Sequence, residues 1–415
     1  MGKEQTTQTD EEVVASTGIS DIYAAAKRLE GIVRKTPLTY SEFFSDISGC
    51  STYLKLENLQ TTGAFKLRGA YNRISLLTKE EKTRGVITAS AGNHAQGVAY
   101  ASQKLGVRAV ICMPATTPIL KVEATRALGA TVILHGNGFD DAYARSLELQ
   151  KEKGYVYIHP FNDRDVIVGQ GTIALEVIDA LKDVDAILVP IGGGGLSSGI
   201  ALAAKLVNPQ VKVIGVEPEN AACMKAALSC GRTITLPSAD TVADGCAVRT
   251  AGKLTLEFCR RYLDEIITVS EMDIMSALLS LIEKHKLIAE GAGVLSLAAL
   301  NKLRMKDKKV AVLISGGNID ISTISALISK ALISRGRVFR FSVQLPDKPG
   351  QLLTVAQILT EQDANVIRLD HDQTMVTDSF QKVQLTVTVE AHGQDHIDRI
   401  VAALAMNGFE INKIY

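Results

Sequence analysis

Residues 185–199 read DAILVPIGGGGLSSG, an apolar run that passes directly into four consecutive glycines. The run DAILVPI predicts a buried strand because it is short and apolar throughout. The glycines predict a loop whose backbone can approach a phosphate closely, since no Cβ intervenes. A glycine run alone is about as often a plain loop, and this one matches neither G-x-x-x-x-G-K-[ST] nor G-x-G-x-x-G. The stretch therefore predicts a strand, a loop and a helix, with phosphate binding as one of two interpretations.

Similar apolar runs lie on both sides of this stretch, separated by segments with helical periodicity. One predicted helix spans about 67–77 and another starts near Asn93. The other predicted strands are YLKLENL (53–59), GVITAS (85–90), RAVICMP (108–114), TVILHG (131–136), YVYIHP (155–160), KVIGVEP (212–218), EIITVS (265–270) and KKVAVLIS (308–315). Apolar strands that alternate with helices predict open parallel sheets covered on both faces, with ligands at the carboxyl ends of the strands.

The pattern changes near Ser334. The strands FRFSVQL (339–345), ANVIRLD (364–370), KVQLTVTVE (382–390) and FEINKIY (409–415) alternate with helices at about 351–359 and 395–406 in the order β-α-β-β-α-β. That order predicts a ferredoxin-like unit. From Arg337 onward there are seven Lys or Arg and ten Asp or Glu, and there is no cysteine. RNA recognition and soft-metal transport are therefore excluded, which leaves a small-molecule sensor or a packing module.

The composition excludes several other classes. The 415 residues are 46% hydrophobic and carry 45 basic and 45 acidic side chains. The chain therefore has no net charge that would favour binding to nucleic acid or anionic lipid. The six cysteines form no C-x-x-C pair, which favours reduced thiols in a cytoplasmic protein. No apolar stretch is long enough to span a bilayer. Gly2 and Thr6 satisfy a loose myristoylation pattern, but the polar, acidic N-terminus favours an unmodified tail.

Three more turns have residue types suited to binding or catalysis. Lys66 lies in TGAFKLRGA (62–70) at a predicted strand-to-helix junction, where a single lysine is by itself more often a solvated side chain. SAGNHAQG (90–97) closes a strand and opens a helix, which predicts an anion site or a simple N-cap. Ser315 begins SGGN (315–318), a polar turn at the carboxyl end of another strand.

Together with GQGTIALEV (169–177), ADGCAV (243–248), AEGAG (289–293) and SGGNID (315–320), these motifs resemble the threonine dehydratases, also called threonine ammonia-lyases. These are fold-type-II enzymes that use pyridoxal 5'-phosphate, and the resemblance runs in order from about residue 20 to 330. The segment with Asp347-Lys348-Pro349-Gly350 is similar to ACT domains. The resemblance implies a catalytic domain over 1–333, with a small subdomain of roughly 53–155 inserted in a large one, and an ACT-like regulatory domain over 334–415.

The resemblance also implies a role for each motif residue. Lys66 would hold the cofactor as a Schiff base and act as the catalytic base. The other cofactor contacts would come from Phe65, Asn93, Gly192, Gly193, Gly194, Gly195, Leu196 and Ser315. The substrate carboxylate would lie at Ser90, Ala91, Asn93 and His94. A serine at 315, facing the pyridine nitrogen, does not force that nitrogen to be protonated, which suits elimination better than transamination.

Two positions differ from the related serine racemases. Those enzymes carry a second catalytic base, a serine, where this chain has Ala91, so racemisation is disfavoured. They also bind a divalent cation through positions that match Glu217 and Ala221, but the third ligand position is Cys223 here. A thiol is a poor ligand for Mg²⁺ or Ca²⁺, so we expect no divalent metal site, and a monovalent ion is the alternative.

The predicted reaction converts L-threonine to 2-oxobutanoate and ammonia, with L-serine giving pyruvate as a side activity. A serine dehydratase or another lyase of the same fold is an alternative, and so is a non-catalytic amino-acid sensor. Lys66 argues against the sensor, because a decayed site has no reason to keep the cofactor amine. We further expect a homo-oligomer in isoleucine biosynthesis that is regulated allosterically by isoleucine or valine.

Overall fold

The computed structural model describes residues 8–372 and 382–415. The chain divides into two compact units, Met1–Ile319 and Asp320–Tyr415. Gly2 and Thr6 lie outside the described residues. Where the chain is described, no helix is long and apolar enough to cross a membrane.

The first unit is built on two sheets, which we call the large sheet and the small sheet. Its strands are Leu38–Tyr40 (β1), Ser51–Leu56 (β2), Val86–Ala89 (β3), Ala109–Met113 (β4), Thr131–Leu134 (β5), Val156–Tyr157 (β6), Ala186–Pro190 (β7), Lys212–Pro218 (β8), Glu265–Val269 (β9) and Lys309–Ile314 (β10). The large sheet has the order β1-β2-β10-β7-β8-β9, and the small sheet has the order β5-β4-β3-β6. All strand pairs are parallel except β1 with β2.

Helices connect and cover these strands. They are Asp10–Ser16 (α1), Ile19–Leu29 (α2), Glu42–Ser48 (α3), Lys66–Ser75 (α4), Lys79–Arg84 (α5), Asn93–Leu105 (α6), Ile119–Ala127 (α7), Phe139–Lys153 (α8), Arg164–Ala180 (α9), Gly195–Val207 (α10), Cys223–Cys230 (α11), Lys253–Tyr262 (α12), Glu271–His285 (α13) and Leu295–Ala298 (α14). Both α10 and α14 contact β7 and β8, and β7 is buried along its whole length. Helix coverage explains why DAILVP contains no alternating polar residue.

Strand pairing shows which of the two sheets β2 belongs to. Strand β2 pairs with β10 in parallel register from Ser51↔Lys309 to Leu56↔Ile314, so it belongs to the large sheet. The first strand of the small sheet along the chain begins at Val86, whereas the small subdomain implied by the resemblance starts near residue 53. The predicted strand 53–59 also ends early, because Glu57–Leu59 form a short 3-10 turn.

The second unit has the predicted β-α-β-β-α-β order, preceded by one helix, Ile321–Ser334 (α15). The remaining elements are Val338–Pro346 (β11), Gln351–Glu361 (α16), Asn365–Asp372 (β12), Lys382–Glu390 (β13), Gln394–Met406 (α17) and Ile411–Lys413 (β14). In the described part of this unit the strands form one antiparallel sheet in the order β12-β13-β11-β14. This confirms the predicted ferredoxin-like fold. The predicted domain boundary, 333/334, lies at the end of α15.

Candidate active site

Lys66 is the first residue of α4, at the turn that follows β2. The backbone N–H of Phe65 donates to the carbonyl oxygen of Ser315 at 3.1 Å, and Ala64 forms an antiparallel bridge with Gly316. These contacts attach the turn to the carboxyl end of β10. The structure thus brings Lys66, Phe65 and Ser315 together, although they are far apart in the sequence.

The Lys66 amine lies in a desolvated environment. Its Nζ donates to the carbonyl oxygen of Pro160 at 2.9 Å and lies 5.2 Å from the centroid of the Phe65 ring. Burial lowers the pKa of Lys66 to about 8, although the nearby Cys246 and Glu290 act to raise it. A large share of such an amine is neutral at mildly alkaline pH, which is what a nucleophile or a general base requires.

The glycine loop joins β7 to α10 and allows little space for side chains. Gly194 has φ +96, a conformation that L-residues rarely adopt, and a Cβ there would lie 2.5 Å from Cε of Met224. A Cβ on Gly195 would lie 2.8 Å from Cα of Phe161. Thr255 stabilises the loop, because its Oγ1 donates a hydrogen bond to the carbonyl oxygen of Gly193 at 2.7 Å. The backbone N–H groups at the start of α10, next to Leu196, thus form a cradle suited to a phosphate.

A second helix start faces the same region. Strand β3 ends before Ser90, whose Oγ accepts the N–H of Gly92 at 3.2 Å, and α6 begins at Asn93. The Asn93 amide donates through Nδ2 to Oε1 of Glu290 at 2.5 Å and accepts at Oδ1 from Nδ2 of Asn318 at 2.8 Å. Ala91 lies in the same turn, between Ser90 and Gly92.

The two histidines of this region are kept neutral. His94 is buried, and its Nε2 lies 2.9 Å from the carbonyl oxygen of Ile158, while Nδ1 has no hydrogen-bond partner. Burial and the nearby Lys66 charge lower the pKa of His94 to about 3, and the same two causes lower that of His159 to about 4. Nδ1 of His159 accepts the N–H of Asn162 at 2.8 Å, so this ring orders the loop that carries Pro160.

Ser315 directly follows β10 and has a neutral, buried hydroxyl. Its Oγ donates to the carbonyl oxygen of Ala292 at 3.4 Å, and its N–H donates to the carbonyl oxygen of Gly293 at 3.2 Å. A serine hydroxyl has one hydrogen, which can rotate from this long contact to an unprotonated ring nitrogen, and it carries no charge. Ser315 therefore fits a contact with an unprotonated pyridine.

Sequence reasoning assigned no role to Glu290, which the structure places in this site. Its side chain is 5% exposed, and burial raises its pKa to about 8, with the nearby Asp244 acting in the same direction. Glu290 lies within the quoted motif AEGAG, but its partner Asn93 is 197 positions away. A charged residue between small ones was the only available signal.

Two of the positions that match the racemase cation ligands, Glu217 and Cys223, have other partners here. The two carboxylate oxygens of Glu217 accept the backbone N–H groups of Met224 and Lys225 at 2.8 and 2.9 Å, which caps α11. The thiol of Cys223 contacts the carbonyl oxygen of Gly192 at 3.6 Å, and burial raises its pKa to about 12. A thiol that stays protonated does not supply the thiolate that a metal site would need.

A buried ionic network supports α4 through Arg68, two residues after Lys66. Arg68 donates to both oxygens of Glu57, at 2.8 and 2.9 Å, and through Nη1 to Oε1 of Glu176 at 2.7 Å. Lys55 pairs with the same Glu176 at 2.5 Å. Burial alone would raise the pKa of Glu57, but Arg68 holds it below its usual value. The network ties α4 to the segment that follows β2 and to α9.

These features fit pyridoxal phosphate in its separate parts. The desolvated amine of Lys66 suits the aldehyde, the glycine cradle suits the phosphate, and the amide of Asn93 and the hydroxyl of Ser315 suit the ring oxygen and nitrogen. The cradle is the most specific of these features, because any side chain at Gly193, Gly194 or Gly195 would collide with its neighbours.

Comparison with known proteins points to the same chemistry. The family model described as pyridoxal-phosphate dependent enzyme matches residues 29–316. An L-threonine ammonia-lyase from Thermotoga maritima is 47% identical over 396 residues, which cover 95% of this chain and 98% of that protein. The processed form of threonine deaminase isoform 2 from Solanum lycopersicum has a TM-score of 0.73 at 39% identity, covering 80% of this chain and 96% of that one. Maize serine racemase has a TM-score of 0.72 at 36% identity, covering 77% and 99%.

Proposed function

The chain belongs to the pyridoxal-phosphate-dependent enzymes, and on that premise we propose that it is a threonine dehydratase, which converts L-threonine to 2-oxobutanoate and ammonia. One observation supports this most strongly: 47% identity over 95% of the chain to an L-threonine ammonia-lyase, which includes the second unit as well as the first. L-Serine would react in the same way to give pyruvate.

Pyridoxal phosphate would be held by Lys66, Phe65, Asn93, Ser315 and the loop from Gly192 to Leu196. When bound, it supplies an electron sink that stabilises negative charge at the substrate Cα. The turn Ser90–His94 would hold the substrate carboxylate through N–H groups at the start of α6.

Lys66 would remove the proton from Cα of the substrate, and its low pKa supports this role. The neutral state of His94 and His159 favours this role too. Lys66 becomes positively charged when it takes the proton, and two nearby imidazolium groups would disfavour that charged form. Ala91 has no side-chain proton to deliver to the opposite face of Cα, which favours elimination over racemisation.

The test of the proposed activity is steady-state turnover of L-threonine and L-serine side by side, with 2-oxobutanoate or pyruvate and ammonia measured together. We expect one ammonia for each keto acid, and faster turnover of L-threonine at equal concentration. A chain that turns over L-serine but not L-threonine would be a serine dehydratase. Binding of amino acids without turnover would support the sensor alternative.

We further propose that the second unit regulates the enzyme by binding isoleucine, with valine opposing it, in a cytoplasmic homo-oligomer of isoleucine biosynthesis. The second unit has a ferredoxin-like fold with its own apolar core, around Phe339, Phe341, Leu385 and Ile400. A separate core supports a regulatory role that is distinct from the catalytic unit. The edge strands β12 and β14 offer backbone groups for pairing with another copy. Six free thiols, five of them buried, fit a reducing compartment.

A ligand that prefers one conformational state of a protein typically changes substrate affinity by roughly 5–150-fold. A change of this size can be measured in a substrate saturation curve. We expect isoleucine to shift the L-threonine saturation curve of the full chain, and truncation after Ile319 to remove the shift while activity remains. Identical responses of both chains to isoleucine and valine would show that the second unit is structural only.

A further inference from the structure

The amide of Asn93 is held from two sides. On one side its Nδ2 donates to Oε1 of Glu290 at 2.5 Å, and on the other its Oδ1 accepts from Nδ2 of Asn318 at 2.8 Å. Oxygen and nitrogen of an amide group are nearly the same size, so packing alone does not decide which way the group points. The hydrogen-bond partners decide it here.

The orientation of Asn318 is itself determined by the backbone. Its Nδ2 also donates to the carbonyl oxygen of Thr62 at 2.8 Å, and a carbonyl can only accept. Asn318 therefore presents a donor to Asn93, and Asn93 must present Oδ1 in return. Nδ2 of Asn93 then faces Glu290, whose Oε1 accepts one of its two hydrogens. The second hydrogen remains available.

The fold makes room for Glu290 in this role. The Glu290 N–H donates to the carbonyl oxygen of Gly316 at 3.1 Å, and a Cβ on Gly316 would collide with Oε1 of Glu290. The same Cβ would lie 3.2 Å from Nδ2 of Asn93. The glycine at 316 thus leaves the space in which the carboxyl group and the amide meet.

We propose that Glu290 is a positioning residue: its carboxyl oxygen fixes the Asn93 amide so that the second Nδ2 hydrogen is directed to the cofactor. This inference rests on the proposed function, because it concerns the cofactor contact of Asn93. Glu290 acts as a hydrogen-bond acceptor, and this role does not require its carboxyl group to be charged.

The acceptor role and the charge can be separated by two substitutions of similar size. Glu290→Gln keeps a carbonyl oxygen but has no charge, whereas Glu290→Met has neither acceptor nor charge. Glu217→Gln is the matched control, because it also removes a buried carboxylate, one that bonds to Met224 and Lys225 instead of Asn93. Asn318→Ala removes the other partner of the amide and gives a second test if Glu290→Met does not fold.

The readouts are the affinity for pyridoxal phosphate, measured by equilibrium dialysis, and the absorption band of the bound cofactor. We expect Glu290→Met and Asn318→Ala each to lower the affinity roughly tenfold and to shift the band, as for one misdirected hydrogen bond. Glu290→Gln should stay within about threefold of wild type, like Glu217→Gln.

Wild-type affinity and band in the folded Glu290→Met and Asn318→Ala proteins would overturn the inference. So would a Glu290→Gln protein as impaired as Glu290→Met, because the charge and not the acceptor would then matter. A wild-type chain that binds no pyridoxal phosphate would instead refute the proposed function. The two failures are therefore distinguishable.

Discussion

Replacement of Arg68 by methionine would test whether the buried network holds α4 in place. Arg68 and Glu57 are 1% and 0% exposed, and Arg68 makes two hydrogen bonds to the Glu57 carboxylate. In the variant Glu57 loses its main charge partner inside the protein. Glu176 is less affected, since it is 17% exposed and keeps Lys55 at 2.5 Å.

The expected cost is that of one uncompensated buried charge. Removing one partner of a buried pair typically destabilises a protein by about 3–5 kcal/mol. At roughly 2 °C per kcal/mol for a unit of this size, the melting temperature should fall by about 6–10 °C. Arg126→Met is the matched control, because Arg126 and its partner Glu123 are about half exposed and such surface pairs contribute at most ~1 kcal/mol.

The assay is thermal unfolding followed by circular dichroism, with a double variant added. Glu57→Gln combined with Arg68→Met should melt above Arg68→Met alone, because the double change removes the buried charge that the single change leaves behind. An Arg68→Met protein that melts within about 2 °C of wild type would refute this account of the network. A double variant less stable than the single variant would refute it too.

Three further changes test other parts of the site. In Gly193→Ala the new methyl group would lie 2.5 Å from Cδ2 of Phe161, and such overpacking typically costs about 1–3 kcal/mol of stability. Dialysis should therefore show weaker binding of pyridoxal phosphate by this variant. Unchanged affinity would argue against the cradle. Ala91→Ser should raise D-serine formation from L-serine relative to pyruvate, and an unchanged ratio would show that another atom decides between the two outcomes. Burial raises the folded-state pKa of Glu217 to about 7, so the folded state binds more protons and stability should fall as pH rises from about 4.5 to about 7. Denaturant titrations should show a shallower fall for Glu217→Gln, and equal slopes would contradict this assignment.

Strand positions could be predicted well from the sequence where burial is complete. The run KVIGVEP coincides with β8, Lys212–Pro218, because that strand is covered on both faces and bounded by proline. The start of α6 at Asn93 was likewise predicted. Strand 53–59 was predicted too long, because Leu59 extends the apolar pattern while the chain turns at Glu57 to meet Arg68.

The site was predictable only in part, since spacing along the chain does not show which motifs meet. The motif residues Lys66, Asn93 and Ser315 could be named from the resemblance, and their roles stay predictions. The partners of Asn93 could not, because Glu290 and Asn318 lie 197 and 225 positions away from it. Hydrogen bonds over such distances depend on the packing of the two sheets, which no local pattern encodes.

The attachment of the cofactor to Lys66 is the claim on which the proposed mechanism depends most. The direct measurement is reduction of the pyridoxal-phosphate-loaded protein with borohydride, followed by proteolysis and mass spectrometry of the peptides. We expect a single phosphopyridoxyl adduct on Lys66, and no adduct in a folded Lys66→Ala protein, which should also have no turnover. An adduct on a different lysine, or full turnover by Lys66→Ala, would contradict the account.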